Sequence, residues 1–202
     1  EAALIVSAIG GGVRDVEQDD PPPMHPGVFD DARAWFTHGA EALDRLFARK
    51  RPLAVGVFKD QPIDEVNEIA EEVGLDLVQF SGSEPWSDCL VATRQAIQAL
   101  RPRDGMTADE VLAYVEPGAA MAFMLDPSHG TGTPADLAVA RDVASRFPLW
   151  LAGGMTPENV AQTIATVRPW LVDVSTGVET DGAKDPAKIA AFVRAAKAAG
   201  AP

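Results

Sequence analysis

The sequence predicts an α/β fold on a parallel sheet, of (β/α)8 barrel type, and three observations support it. Apolar runs that read as strands end at Phe58, Phe80, Leu100, Leu125, Ala152 and Val174. Each interval between them has room for a crossover helix, which makes neighbouring strands parallel. The last two runs end on corners poor in side chains, Gly153-Gly154 and Ser175-Thr176-Gly177. A doubly wound sheet also accommodates six strands, whereas a closed barrel needs eight. Glycine corners on successive strands, at the end of a series of βα units, favour the barrel, in which the loops after the seventh and eighth strands commonly bind phosphate.

Glu1 to Ile9 reads either as a buried strand or as a helix with Ala2, Ile5, Val6 and Ile9 on one face, and Gly10-Gly11-Gly12 stops it. Val13 to Gly27 is acidic and proline-rich and reads as a solvated loop. Phe29 to Ala48 is a helix candidate, with Gly39 the point at which it could split. From Arg51 the pattern is regular. Leu53 to Phe58 is a strand, and Pro62 opens a helix with Ile63, Val66, Ile69, Ala70 and Val73 on one stripe, ended by Gly74. Leu75 to Phe80 is the next strand, ending at Ser81-Gly82, and Ser83 to Thr93 is a short helix whose Trp86 and Cys89 read as packing residues. After the strand Gln95 to Leu100, Thr107 and Glu110 form a capping box for a helix through Tyr114. Ala119 to Leu125 is the most hydrophobic strand. Thr133-Pro134 caps a helix with Leu137, Val143 and Phe147 inward. Pro148 to Ala152 is a strand; Thr156 then offers an N-cap oxygen and Pro157 suits the first helical position, with Val160, Ile164 and Val167 at helical spacing. The strand Trp170 to Val174 follows, and Asp185-Pro186 caps a last helix with Ile189, Phe192, Val193 and Ala196 inward.

Chemistry is expected where the strands end. Corners without side chains let backbone N–H groups approach an anion, and a helix N-terminus adds a favourable dipole. One glycine pair alone reads as a tight turn; two on successive strands point to a phosphate. Asp126 leaves the dry strand Ala122-Phe123-Met124-Leu125 at the rim and precedes His129-Gly130-Thr131-Gly132. That setting, where desolvation can keep a carboxyl protonated, favours a functional reading over a helix cap or loop carboxylate. Asp173 lies near another strand end, where substrate contact and a hydrogen-bonded structural role weigh equally.

LAGGMTPENV followed by VDVSTGVETDGAKDP resembles the C-terminal portion of phosphoribosylanthranilate isomerase, an enzyme of tryptophan biosynthesis. VGVFKDQPIDEVNEIAEEVGLDLVQFSGSEP resembles the same family upstream, with features of fungal versions fused to other tryptophan enzymes. The resemblance spans roughly Pro52 to Ala199. It implies a (β/α)8 barrel that carries out the Amadori rearrangement of N-(5-phosphoribosyl)anthranilate to 1-(2-carboxyphenylamino)-1-deoxyribulose 5-phosphate without metal or organic cofactor. Asp126 matches the family's general acid. Gly130, Gly132, Gly153, Gly154, Asp173, Ser175, Thr176 and Gly177 match substrate or phosphate contacts. On this reading residues 1–12 form the second barrel helix, 13–50 an acidic insertion and helix, and 51–202 the third strand through the eighth helix. The first strand, first helix and second strand are then absent from the chain.

Three departures qualify the match. The family's general base, a cysteine in a Lys-Ile-Cys-Gly-type motif, has no counterpart, and Cys89 cannot replace it by position. The substrate-binding arginine expected after the second strand has no clear match. Ser81-Gly82 stands where the family usually has His-Gly; serine can hydrogen-bond but cannot hold a charge. A degenerate, non-catalytic domain and another phosphosugar-binding barrel are the competing readings.

Composition sets outer bounds. The 202 residues are 47% hydrophobic, enough for one domain with a substantial core. With 17 basic against 30 acidic residues the net charge is −13, which argues against nucleic acid or an anionic membrane as partner. A single cysteine fits a reducing cytosol, and His25, His38 and His129 form no zinc constellation. The expected partners are a phosphorylated small molecule and, by resemblance, other tryptophan-pathway enzymes to which the chain is fused or docked.

Overall fold

The computed structural model describes residues 32–49, 52–127 and 135–200. The expected elements at 1–12 and 13–31, the loop residues His129, Gly130, Thr131 and Gly132, and the Thr133-Pro134 cap lie outside them. The chain divides into two compact units, Glu1–Ala99 with Glu116–Ala122, and Leu100–Val115 with Phe123–Pro202. Within each unit the strands neighbour one another in the order of the chain.

The first unit opens with helix α1 (Ala32–Arg49). It runs unbroken through Gly39, the point where the sequence left a split open. A Cβ at Gly39 would lie 2.0 Å from the Met121 carbonyl oxygen, so glycine here serves close packing rather than helix termination. Trp35, Phe36 and Leu43 are buried beside it, and the Trp35 indole N–H donates to the Ala120 carbonyl at 2.7 Å. Strand β1 (Val55–Phe58) pairs in parallel with β2 (Leu77–Phe80), which pairs with β3 (Gln95–Leu100); Phe58 faces Phe80, and Phe80 faces Gln98. Helix α2 (Ile63–Val73) ends at Gly74, whose φ of 71° closes the helix in the left-handed region as its sequence position predicts. Helix α3 (Trp86–Val91) is short and buries Trp86 and Cys89.

In the second unit, helix α4 (Ala108–Leu112) carries the expected capping box between Thr107 and Glu110. Strands β4 (Ala122–Leu125), β5 (Trp150–Leu151) and β6 (Leu171–Val172) are parallel neighbours, with Leu125 opposite Leu151 and Leu151 opposite Val172. Helix α5 (Leu137–Arg146) is capped by Asp136, whose carboxylate accepts from the Ala138 and Val139 N–H groups. Phe147 packs edge-to-face on Phe123 at 5.8 Å, and Trp150 stacks on Trp170 at 5.8 Å.

Helix α6 (Val160–Val167) starts three residues later than Pro157, after a turn in which the Thr156 hydroxyl accepts from the Glu158 N–H. A two-stranded hairpin, β7 (Glu179–Thr180) with β8 (Ala183–Lys184), precedes helix α7 (Pro186–Gly200). Asp185 caps α7 by accepting from the Ala187 and Lys188 N–H groups. Phe192 is buried, but Ile189 and Val193 are 40% and 42% exposed rather than inward. Phe192 alone takes the core-facing position, and its apolar neighbours on the adjoining flank stay in solvent.

Candidate active site

Three backbone hydrogen bonds run past the carboxyl ends of the strands in the second unit. The Asp126 N–H donates to Leu100, Ala152 to Leu125 and Asp173 to Leu151, at 2.9, 2.9 and 2.8 Å. Each ties the first residue beyond a strand to its neighbour. Sheet pairing, rather than loop conformation, therefore holds the main chains of Asp126 and Asp173. These two residues, with Gly153, Gly154, Met155, Ser175, Thr176 and Gly177, line one open pocket with a cavity volume of about 50 Å³. Seven of the residues singled out in the sequence thus meet at one place. Gly130 and Gly132 lie outside the described residues.

The corners need glycine for two different reasons. Gly153 and Gly154 have φ of 101° and 63°, the left-handed region where a side chain costs about 1–2 kcal/mol. Gly177 is needed for space: a Cβ there would lie 1.7 Å from the Met155 carbonyl oxygen. The two corners therefore touch backbone to backbone, with no side chains between them. Asn159 braces the first corner, accepting from the Thr156 N–H at 2.8 Å and donating to the Gly154 carbonyl at 2.9 Å.

Asp173 is open to solvent on one side yet crowded by protein atoms on the others. That crowding, and then the negative charge of Asp126, raises its pKa above the usual carboxylate value; Lys184 and a hydrogen bond from the Val174 N–H oppose the shift. A carboxyl that keeps its proton longer repels an incoming phosphate less. Lys184 itself donates to the Ser175 carbonyl at 3.0 Å, the Ser175 hydroxyl at 3.1 Å and the Glu179 carboxylate at 2.6 Å.

Sequence reasoning missed both Lys184 and Asn159. A signal for Lys184 was available: Asp181-Gly182 between short runs is the turn pair of a two-residue hairpin, and both residues have positive φ, 52° and 78°. That turn sets Glu179 directly opposite Lys184. Asn159 carried no comparable mark.

The departures noted in the sequence have structural counterparts in the first unit. Ser81 accepts a hydrogen bond from the Gln79 side chain at 2.9 Å. Cys89 is buried and its thiol donates to Gln98 at 3.4 Å. Burial first, and the charge of Asp88 second, push the thiol up to about 12, which leaves almost no thiolate at neutral pH. Among the described residues no group of three or more His, Cys, Asp or Glu side chains is placed to hold a metal ion.

The family model described as N-(5′-phosphoribosyl)anthranilate (PRA) isomerase matches residues 18–195. The N-(5′-phosphoribosyl)anthranilate isomerase of Roseiflexus castenholzii is 44% identical over 165 residues, covering 77% of this chain and 76% of its own. A multifunctional tryptophan biosynthesis protein of Phycomyces blakesleeanus is 38% identical over 183 residues, covering 81% of this chain and 24% of its own. The crystal structure of phosphoribosyl anthranilate isomerase from Thermotoga maritima is 31% identical, with a TM-score of 0.63 over 79% of this chain and 80% of that one. A structure of the isomerase in complex with reduced 1-(o-carboxyphenylamino)-1-deoxyribulose 5-phosphate is also 31% identical, with a TM-score of 0.61 and 79% coverage of both chains. These matches settle the fold class as the (β/α)8 barrel, and by sequence and by structure the chain belongs to the N-(5′-phosphoribosyl)anthranilate isomerase family.

Proposed function

We propose that the protein converts N-(5-phosphoribosyl)anthranilate to 1-(2-carboxyphenylamino)-1-deoxyribulose 5-phosphate through the cavity at the ends of β4, β5 and β6. The observation that carries this reading is the joining of a strand-end carboxyl group, Asp126, to two side-chain-free corners in one cavity. Backbone N–H groups at the corners hold the phosphate without adding net charge to an acidic protein. Asp126 protonates the ribose ring oxygen as the C1–O bond breaks, and the anthranilate nitrogen supplies the electron pair that forms the Schiff base. A base takes the C2 proton to give the enolamine, which tautomerises to the aminoketose by gaining a proton at C1 and losing the one on the C2 hydroxyl. Asp173, held toward its neutral form, contacts the substrate without repelling its phosphate.

The acidic charge and single cysteine suit a cytoplasmic setting, and no helix among the described residues is long and apolar enough to cross a membrane. Multifunctional relatives make fusion or docking to other tryptophan enzymes the natural partnership.

A second reading, a domain that binds the phosphosugar without turning it over, is favoured by one observation: the single cysteine, Cys89, is buried on the Gln98 side chain and is not among the residues that line the cavity. The experiment is a steady-state assay with freshly made substrate, paired with binding of the reduced product analogue. Turnover establishes the isomerase. Binding without turnover selects the second reading, and absence of both removes the site.

A further inference from the structure

We propose that Lys184 is a positioning residue for the substrate phosphate, acting through Ser175 to turn two donors toward the cavity. The inference rests on the phosphate reading above and adds a residue to it.

Lysine carries three donors and no acceptor, so in its contact with the Ser175 hydroxyl the oxygen must accept. The hydroxyl proton is then left to point elsewhere, and Ser175 lines the cavity. A second Nζ–H bond, at 3.0 Å, joins the longer 3.3 Å bond from the Val178 N–H in holding the Ser175 carbonyl. In a trans peptide the following N–H points opposite to the carbonyl, so this bond also fixes the direction of the Thr176 N–H, another cavity-lining residue. One ammonium group thus sets one hydroxyl and, together with the Val178 N–H, one backbone donor. Its positive charge stands directly behind Ser175, in a protein whose net charge of −13 otherwise opposes a dianion.

The hairpin makes this arrangement specific. The Asp181-Gly182 turn sets the register that brings Lys184 opposite Glu179. Glu179 binds the same ammonium at 2.6 Å, and its side chain is the less exposed of the pair, 23% against 51%. Glu179 therefore anchors Lys184 while offsetting part of its charge. It restrains phosphate affinity and keeps the ammonium from swinging into solvent.

The test uses four variants, Lys184→Met, Lys184→Arg, Ser175→Ala and Glu179→Gln, with inorganic phosphate as the binding probe and the isomerisation assay alongside. Lys184→Met should weaken phosphate binding about tenfold and raise KM by a similar factor with kcat nearly unchanged, because the phosphate is remote from the reacting bonds. Lys184→Arg should recover most of the loss. Glu179→Gln should tighten phosphate two- to fivefold, an estimate scaled to a partly exposed ion pair. In the Ser175→Ala background, Lys184→Met should cost much less than in the wild type, since coupled residues are non-additive.

Urea midpoints guard against misfolded variants. Unaltered phosphate affinity in folded Lys184→Met, or equal losses in kcat and kcat/KM, would overturn the role. Full additivity with Ser175→Ala would do the same. Failure of the wild type to bind phosphate or substrate at all would instead remove the underlying functional reading.

Discussion

Replacing Gly177 by alanine tests the phosphate site with the least chemical change available. The added methyl carbon would lie 1.7 Å from the Met155 carbonyl oxygen and 2.9 Å from its carbon, where ordinary contacts begin at 3.4 Å. The obstructing atoms are backbone, so no side chain can rotate away. The corners at 153–155 and 175–177 must therefore separate by about 1.7 Å. Overpacking of this kind typically costs about 1–3 kcal/mol. At roughly 2–4 °C per kcal/mol for a domain of this size, the melting temperature should fall by a few degrees up to about 12 °C. The functional loss should be larger in proportion, because a misplacement near 1 Å can cost on the order of 10² in rate. Calorimetric titration with inorganic phosphate and the kcat/KM of the isomerisation should both fall by about 10²-fold in folded protein. Gly105→Ala is the control: its φ of 81° is strained for alanine, but nothing lies within 4 Å of the new carbon. It should lower stability by about 1–2 kcal/mol and leave phosphate binding alone. Phosphate affinity within twofold of wild type in Gly177→Ala would refute the reasoning.

Other outcomes are equally definite. Asp126→Asn keeps the shape and removes the acid, so kcat should fall by about 10² to 10⁴ while phosphate binding holds; near-native kcat would exclude Asp126 as the acid. Asp173→Asn should stabilise the fold above the carboxylate range. A raised folded pKa means that wild-type stability declines as pH climbs from the unfolded value to the folded one. Urea midpoints of the two proteins should thus converge below about pH 3.9 and separate as pH rises. A constant difference across that window would contradict the shift. Thr107→Ala removes the capping box of α4 and should cost about 1 kcal/mol of stability, read by urea unfolding, with no change in turnover.

Much of each unit was legible because its signals are local. Gly74, Asp185 and the Thr107-Glu110 pair announce helix ends through bonds made within a few residues, and the structure has those bonds. Asp126 and Asp173 could be located because a strand end is also a change from apolar to polar sequence. What escaped depends on distant partners. Gly39 looks like a helix breaker until Met121, far along the chain, is seen to occupy the space a side chain would need. Ile189 and Val193 fit the inward spacing of α7, yet periodicity cannot say how wide a stripe the neighbouring elements will cover. Lys184 reads as an ordinary surface lysine until the hairpin register brings it onto Ser175.

The bond from Trp35 to Ala120 also has a consequence in time. Its partners are 85 positions apart. At the usual pace of synthesis, about 5–20 residues per second, the ribosome needs roughly 4–17 s to reach Ala120 after making Trp35. Through that interval the apolar face of α1, with Trp35, Phe36 and Leu43, has yet to meet the segment that completes its packing. A nascent chain halted before residue 120 should be a better chaperone client than one released a few residues later. Synonymous codons that slow translation between 50 and 120 should lower the soluble yield without altering the finished protein.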